Sequence, residues 1–208
     1  MDHLRELIRR YPALEPASAD IGAAFDALAG SFEKGGKLLI AGNGGSAADA
    51  EHIVGELMKG FAKKRNLPDS LARGLASVDS EIAEYLVPRL QPGLPAIALS
   101  AHSALATATA NDIDGAAVFA QQVLAYGNEG DVFLGISTSG NSKNVLCAAA
   151  CAKAKGMKVI ALTGGAGGAL RRLADVSIVV GESETYKVQE LHLPVYHCLC
   201  MMLEDRFF

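Results

Sequence analysis

Two short segments, far apart in the chain, carry side chains that could hold a phosphate and move protons. The first is G-N-G-G-S over 42–46, which runs into a stretch containing His52 and Glu56. The second is S-T-S-G-N-S over 137–142. Glycine lets a backbone approach a ligand closely, and imidazole and carboxylate groups are common agents of proton transfer. Together the segments indicate an enzyme that holds a phosphate at one end of its substrate and transfers protons at the other.

The S-T-S-G-N-S segment has the composition of a phosphate-binding loop. Its hydroxyl residues are Ser137, Thr138, Ser139 and Ser142, and they precede a predicted helix. A helix N-terminus offers unpaired backbone N–H groups and the positive end of the helix dipole. The simpler alternative is helix capping by Ser139 or Ser142, but a cap needs one such residue. The crowding of hydroxyls therefore favours a phosphate site.

The glycine turn leads into a predicted helix with a polar pair. Ala47 breaks the dinucleotide fingerprint G-x-G-x-x-G, and the chain has no G-x-x-x-x-G-K-[ST] pattern for a nucleotide triphosphate. His52 and Glu56 are four residues apart, so they share one helix face. They could chelate a metal or transfer protons, and a plain surface pair is the alternative.

The last predicted helix, over about 186–206, carries polar residues in an apolar run. Gln189, His192 and His197 all lie within it. A buried histidine is more often hydrogen-bonded than chemically active, so these residues alone do not define a site. Pro194 predicts a kink or a local loosening of this helix.

Short apolar runs, each followed by a helical pattern, must position these groups. They predict a five-stranded parallel sheet buried on both faces, which is an α/β three-layer sandwich of the doubly wound, flavodoxin-like type with an N-terminal helical segment. In such sheets the ligand lies beyond the carboxyl ends of the strands, where both segments fall. The predicted strands are 37–41, 96–99, 131–136, 158–162 and 176–180, and the N-terminal helices are 3–10 and 17–33.

Length and organisation indicate one domain. The 208 residues, half of them hydrophobic, are enough for a sizeable core. We expect a single domain over 1–208, with N-terminal helices over 1–34. The stretch over 60–94 is expected to be an insertion with a helix over about 76–87, serving as a lid or an oligomer contact.

Charge and sequence pattern exclude several partners. A net charge of −4 disfavours nucleic acid, and the basic cluster at 63–65 is predicted to be a solvated turn. The chain has no run of about 20 apolar residues for a membrane span and no signal-peptide pattern, so we expect a cytoplasmic protein. Four cysteines without metal-type spacing are expected to be buried free thiols, as in a reducing compartment.

These motifs together resemble the phosphoheptose isomerases of the sugar isomerase (SIS) domain superfamily. The likeness runs from the first strand to the last helix. The S-T-S-G-N-S loop by itself is typical of any SIS domain. G-N-G-G-S and Asn111-Asp112 add to the likeness, and the positions of His52, Glu56, Gln189 and His197 indicate the heptose enzymes.

The resemblance implies an activity and a set of site residues. The family converts sedoheptulose 7-phosphate to D-glycero-D-manno-heptose 7-phosphate through an enediol, for nucleotide-activated heptose biosynthesis. By resemblance, Glu56 and His197 are the acid/base pair. One zinc ion per site would be bound by His52, Glu56, Gln189 and His197. The substrate would be bound by Asn43, Gly44, Gly45, Ser46, Glu56, Asn111, Asp112, Ser137, Thr138, Ser139, Ser142 and Gln189.

The resemblance also implies partners, which are a phosphorylated seven-carbon sugar and further copies of this chain in a homotetramer with sites between subunits. Gln189 and His197 are eight residues apart, or roughly 12 Å along a helix. A straight helix could not easily bring both to one ion. Either the helix bends or a second subunit supplies one ligand.

Departures from the family pattern leave two alternatives open. The insertion is longer than expected, Gly60 stands where a basic residue is expected, and Tyr186 replaces an expected sugar-binding Asp. The alternatives are a non-catalytic SIS-domain regulator that binds a DnaA-type replication initiator, and an isomerase or etherase of another phosphosugar. The presence of the His/Glu/Gln/His set favours the heptose isomerase over the regulator.

Overall fold

The fold is built on a five-stranded parallel sheet. The computed structural model describes residues 2–208. The strands are β1 (Leu38–Ala41), β2 (Ala96–Ala98), β3 (Val132–Ser137), β4 (Lys158–Gly164) and β5 (Val176–Val180). Their order in the sheet is β2-β1-β3-β4-β5, and every neighbouring pair is parallel. The predicted flavodoxin-like, doubly wound class is confirmed.

Helices cover both faces of the sheet, as the predicted three-layer sandwich requires. The helices are α1 (His3–Arg10), α2 (Ser18–Phe32), α3 (Gly45–Met58), α4 (Asp69–Val78), α5 (Ser80–Leu86), α6 (Ser103–Asp112), α7 (Val118–Tyr126), α8 (Lys143–Ala154), α9 (Leu170–Leu173) and α10 (Thr185–Phe207). Successive side chains of a strand point to opposite faces. Accordingly, Leu38 and Ile40 join the core with α2, α3 and α10, whereas Leu39 and Ala41 join the core with α7 and α8.

The strand order brings the two polar segments together. β1 and β3 are neighbours, with Ala41 paired to Gly135. From this point the chain winds outward to β2 on one side and to β4 and β5 on the other. Loops that follow adjacent strands diverge there and leave a crevice. Residues 42–46 follow β1 and residues 138–142 follow β3, so both lie at this crevice.

The stretch over 60–94, predicted to hold a single helix, contains two. α4 and α5 are separated by Asp79, whose backbone is extended (φ −158°, ψ 117°) and whose carboxylate accepts a hydrogen bond from the N–H of Ile82. Asp79 therefore acts as an N-cap that starts a new helix. Within the described residues α4 buries no side chain, and Val78 and Tyr85 are largely exposed.

The basic cluster at 63–65 was wrongly predicted to be solvated throughout. Lys63 and Lys64 are exposed, but Arg65 is 2% exposed and pairs with Glu204 of α10, with Nε 3.0 Å from Oε1. Its guanidinium also donates to the carbonyls of Leu57 (2.8 Å) and Glu56 (3.1 Å) at the end of α3. The prediction failed because a carboxylate 139 residues away in the chain neutralises this charge.

Two further predictions concern the last helix and the cysteines. α10 continues through Pro194 and ends at Phe207. All four cysteines are free thiols, as predicted, but Cys198 and Cys200 are buried whereas Cys147 and Cys151 are half-buried. Within residues 2–208, no helix is long and apolar enough to cross a membrane.

Candidate active site

A cavity of about 360 Å³ lies at the crevice between β1 and β3. Both polar segments line it, together with the start of α10. Its walls are residues 43–46, residues 136–138, Ser142, Thr185 and Gln189. The structure thus joins the two segments that the sequence singled out. Thr185 and Ile136 are additions that sequence patterns did not indicate.

The hydroxyl loop has the form of an anion site rather than a capped helix. Ser142 occupies the N-cap position of α8 but makes no side-chain capping bond within residues 2–208. Its Oγ instead lies 3.0 Å from the Oγ of Ser137. The Oγ of Ser139 accepts a hydrogen bond from the N–H of Asn141 at 3.2 Å. The capping alternative therefore does not account for Ser142, which lines the cavity at the start of α8.

A second loop holds the hydroxyl loop in shape. Gly140 has a positive φ of 65°, and a Cβ there would lie 2.0 Å from the carbonyl oxygen of Gly167. The carbonyl of Gly140 accepts a hydrogen bond from Leu170 at 2.9 Å, and Ala169 donates to the side chain of Asn141 at 3.0 Å. Only glycine fits this contact. The loop is consequently preorganised before any ligand arrives.

The glycine turn brings Gln189 over the start of α3. Gly44 has a positive φ of 55° and occupies the N-cap position of that helix. A Cβ on Gly45 would lie 2.5 Å from the Nε2 of Gln189. Because Gly45 has no side chain, the amide of Gln189 on α10 packs directly against the turn.

A reciprocal amide pair ties the two polar segments together. Asn43 Nδ2 donates to Asn144 Oδ1, and Asn144 Nδ2 donates to Asn43 Oδ1, each at 2.9 Å. Sequence analysis assigned Asn43 to the substrate and missed Asn144. The available signal was an amide residue in the turn after β1 and another in the first turn of α8, the helix that follows the neighbouring strand β3. Since both ends of the Asn43 amide are engaged, Asn43 shapes the turn as well as lining the cavity.

A second cluster of functional groups lies between α3 and α10. His52 Nε2 is 3.3 Å from Glu56 Oε1 and 3.4 Å from His197 Nε2. Burial lowers the pKa of His197, the nearby His52 lowers it further, and Glu56 opposes part of the shift. Lys59 also contacts Glu56, at 3.3 Å. The cluster provides a carboxylate and two imidazoles, with His52 in contact with both Glu56 and His197, which suits proton transfer.

Two residues behind His52 were missed by sequence analysis. The hydroxyl of Tyr196 lies 3.1 Å from Asp49 Oδ1 and 3.1 Å from His52 Nδ1. Burial and the neighbouring Asp49 raise the pKa of Tyr196 well above its ordinary value. Burial also raises the pKa of Asp49, against the hydrogen bond from Tyr196 and the charge of His52. The sequence could have indicated Asp49, because it precedes His52 by three residues and so lies on the same face of α3.

Other predicted residues lie apart from this cluster. Gln189 lies in the cavity against the glycine turn. Asn111 and Asp112 are exposed at the end of α6, where Asn111 donates to Asp112 at 2.8 Å. Neither is among the described residues that line the cavity. Within residues 2–208, no group of three or more His, Cys, Asp or Glu side chains is arranged to hold a metal ion by itself.

Comparison with known proteins gives consistent results. A family model for the SIS domain matches residues 2–86 and 83–164. The chain is 42% identical over 190 residues to a phosphoheptose isomerase from Burkholderia pseudomallei, covering 91% of this chain and 83% of that protein. It is 44% identical to a phosphoheptose isomerase from Pelodictyon phaeoclathratiforme, covering 90% and 78%.

Solved structures agree with the sequence comparisons. A phosphoheptose isomerase from Neisseria gonorrhoeae superimposes with a TM-score of 0.76 at 33% identity, covering 98% of this chain and 95% of that one. One from Francisella tularensis has a TM-score of 0.76 at 37% identity, covering 95% and 90%.

Proposed function

This chain belongs to the phosphoheptose isomerase family of the SIS superfamily, and on that premise we propose that it converts sedoheptulose 7-phosphate to D-glycero-D-manno-heptose 7-phosphate. The reaction is an aldose–ketose isomerisation through an enediol. One observation carries the proposal for this chain. The strand order places a preorganised hydroxyl loop beside a glycine turn, and the helix that starts at this turn carries Glu56 in contact with His52, which in turn contacts His197.

The hydroxyl loop would bind the substrate's phosphate. Ser137, Thr138, Ser139 and Ser142 would provide hydroxyl donors, and the first turn of α8 would provide backbone N–H groups. Gly44, Gly45 and Ser46 would hold the sugar together with Asn43 and Gln189. Asn111 and Asp112 lie outside the cavity of one chain, so a contribution from them would come through a neighbouring copy or a closing movement.

Proton transfer would use Glu56 and His197. Glu56 would take a proton from C1 as the C1–C2 double bond forms, while His197 gives a proton to the oxygen on C2. The resulting enediol would regain a proton at C2 from Glu56 and lose the proton on the C1 oxygen to His197. Each residue ends the cycle as it began. The contact of both residues with His52 supports this assignment.

The donor set of the same cluster is compatible with zinc. Zinc binds nitrogen and oxygen ligands at about 2.0–2.1 Å in a tetrahedron, which separates the ligand atoms by about 3.4 Å. The separations of 3.3 Å and 3.4 Å around His52 match this value. His52, Glu56 and His197 would hold the ion, with Gln189 as the further ligand. A group bound to zinc is a poorer proton acceptor, so Glu56 and His197 would transfer protons only when the reacting atom is not bound to the ion. When bound, zinc would polarise the substrate carbonyl and stabilise the negative charge of the enediolate.

The position of Gln189 supports a site shared between subunits. In one chain its side chain lies against Gly45, whereas His197, on the same helix, contacts His52. A second copy could bring its own Gln189 to the cluster, which fits the proposed homotetramer.

We also propose that residues 1–208 form one domain with 60–94 as an insertion. We further propose that the protein works in the cytoplasm, where its free thiols would persist.

The decisive experiment is an isomerase assay on sedoheptulose 7-phosphate. Glu56→Gln and His197→Ala are each expected to lower kcat by about 10²–10⁴-fold, the usual contribution of acid–base catalysis. Glu51→Gln is the matched control, because Glu51 lies exposed on the same helix and contacts Ser100 at 3.4 Å. Activity should fall after chelation and return with zinc. A folded, zinc-loaded protein without turnover would refute the proposal.

A further inference from the structure

A chain of hydrogen bonds behind His52 is not used by the proposed reaction. Tyr196 is 2% exposed, and its hydroxyl lies between Asp49 and His52 at 3.1 Å from each. The rings of His52 and Tyr196 meet edge to face, with centroids 5.4 Å apart. The second carboxylate oxygen of Asp49 is buried and has no hydrogen-bond partner among residues 2–208. A buried carboxylate with one satisfied oxygen calls for an explanation.

The direction of these hydrogen bonds follows from the chemistry of the three groups. An ionised carboxylate only accepts, so the single hydroxyl proton of Tyr196 goes to Asp49. The tyrosine oxygen can then only accept from His52 Nδ1. A neutral histidine carries one ring proton, so the contact with Tyr196 is a hydrogen bond only when that proton is on Nδ1. His52 Nε2 is left as a bare lone pair toward Glu56 and His197.

Glu56 competes with Tyr196 for the ring proton of His52. Glu56 Oε1 lies 3.3 Å from His52 Nε2, and a carboxylate there would attract a proton onto Nε2. Glu56 shares its charge with Lys59, whereas the tyrosine contact to Nδ1 is shorter at 3.1 Å. Two acceptors thus compete for one proton, and the outcome determines whether Nε2 can be a ligand.

We propose that Asp49 and Tyr196 are positioning residues that hold neutral His52 in the Nδ1–H tautomer, so that Nε2 is free to bind a metal. Ligating histidines commonly have such an outer partner on the other ring nitrogen, and its loss costs about 10–100-fold in metal affinity or activity. The consequence for zinc rests on the proposed function. The tautomer itself does not, because it is a property of the metal-free protein.

The test is the tautomer of His52 in ¹⁵N-histidine-labelled, metal-free protein. Long-range ¹H–¹⁵N correlation spectra would be recorded about 2 pH units above the ordinary histidine pKa, with His52→Gln to assign the signals. Wild type is expected to show Nδ1–H. Tyr196→Phe removes the acceptor, so the proton should move to Nε2. Asp49→Ala should have the same effect, because the freed tyrosine proton can then go to Nδ1.

Two further variants separate positioning from general damage. Asp49→Asn keeps an acceptor oxygen for Tyr196 and is expected to retain Nδ1–H. Tyr126→Phe makes the same change beside another histidine, His102, at a ring distance of 5.6 Å, and should leave His52 unaffected. Zinc affinity, measured by chelator competition, should fall about 10–100-fold in Tyr196→Phe and Asp49→Ala and stay near wild type in Asp49→Asn.

The outcomes distinguish this inference from the proposed function. An Nε2–H signal in wild type, or an unchanged Nδ1–H signal in folded Tyr196→Phe and Asp49→Ala, would overturn the positioning role. Lack of turnover on sedoheptulose 7-phosphate with the predicted tautomer pattern would instead overturn the substrate assignment and leave the positioning role standing.

Discussion

The buried ion pair between Arg65 and Glu204 is expected to stabilise the fold and the nearby cluster of His52, Glu56 and His197. Glu204 accepts hydrogen bonds from Arg65 and from the backbone N–H groups of Phe61, Ala62 and Lys63, at 2.7–3.1 Å. The side chains of Arg65 and Glu204 are 0% and 1% exposed. Glu204→Gln would leave the guanidinium buried without its counter-charge.

The expected cost is large for one substitution. Breaking a buried pair on one side typically costs about 3–5 kcal/mol, against a total stability of about 5–15 kcal/mol. For a chain of this size the melting temperature should fall by about 6–20 °C. The exposed Arg206–Glu33 pair has a contact of 2.6 Å and is the matched control. Glu33→Gln should cost about 0–1 kcal/mol because solvent screens that pair.

Urea unfolding at neutral pH, followed by circular dichroism, measures both variants. Arg65→Met added to Glu204→Gln should recover part of the loss, because no buried charge remains. Burial raises the pKa of Glu204, but bonds from Phe61, Ala62 and Arg65 outweigh this and hold the pKa below its usual value. The stabilisation is therefore present above the unfolded pKa and is lost as pH falls through the folded value. A Glu204→Gln cost no larger than that of Glu33→Gln would refute the reasoning.

Three further predictions concern the loops around the cavity and the ion pairs of Asp205 near the end of α10. Asn144→Ala removes two hydrogen bonds of about 0.5–1.5 kcal/mol each to Asn43, and steady-state kinetics should show kcat/KM lower by roughly tenfold; an unchanged value would rule out a clamp between the segments. Gly45→Ala places a methyl group 2.5 Å from Gln189 Nε2 and should raise KM, whereas Gly22→Ala, with nothing within 4 Å of its Cβ, should leave KM unaltered. Lys63 and then His3 lower the pKa of Asp205 from 3.8 to about 2. Its stabilisation should be present above pH 3.8 and lost toward pH 2, and Asp205→Asn should flatten that part of the urea-midpoint profile; an identical profile would contradict it.

The stretch over 60–94 connects the end of α3 to the last turns of α10 through Arg65. Arg65 holds the carbonyls of Glu56 and Leu57, and Phe61 lies against His197 with ring centroids 5.4 Å apart. The start of this stretch therefore packs against the cluster of His52, Glu56 and His197. Its later part, α4 and α5, buries Ala83 and exposes the apolar side chains of Leu71, Val78, Ile82 and Tyr85.

The sequence by itself determined the elements and the local chemistry of this protein. Apolar runs without alternation defined β1 to β5, and residues 42–46 and 137–142 could be placed after strand ends. The contact of His52 with Glu56 also followed from sequence, since helical geometry fixes the distance between residues four apart. Such features depend on backbone periodicity within one element, which side-chain pattern encodes directly.

Only the tertiary structure decided which distant groups meet. The adjacency of β1 and β3 made one cavity of two loops, and it paired Asn43 with Asn144. Burial of Arg65 depended on Glu204, and the tautomer of His52 depends on Tyr196. A residue's type shows what it can bond but not which partner the packing of other elements will bring to it. Partners more than a hundred residues away are chosen by strand order and helix packing, which no local pattern contains.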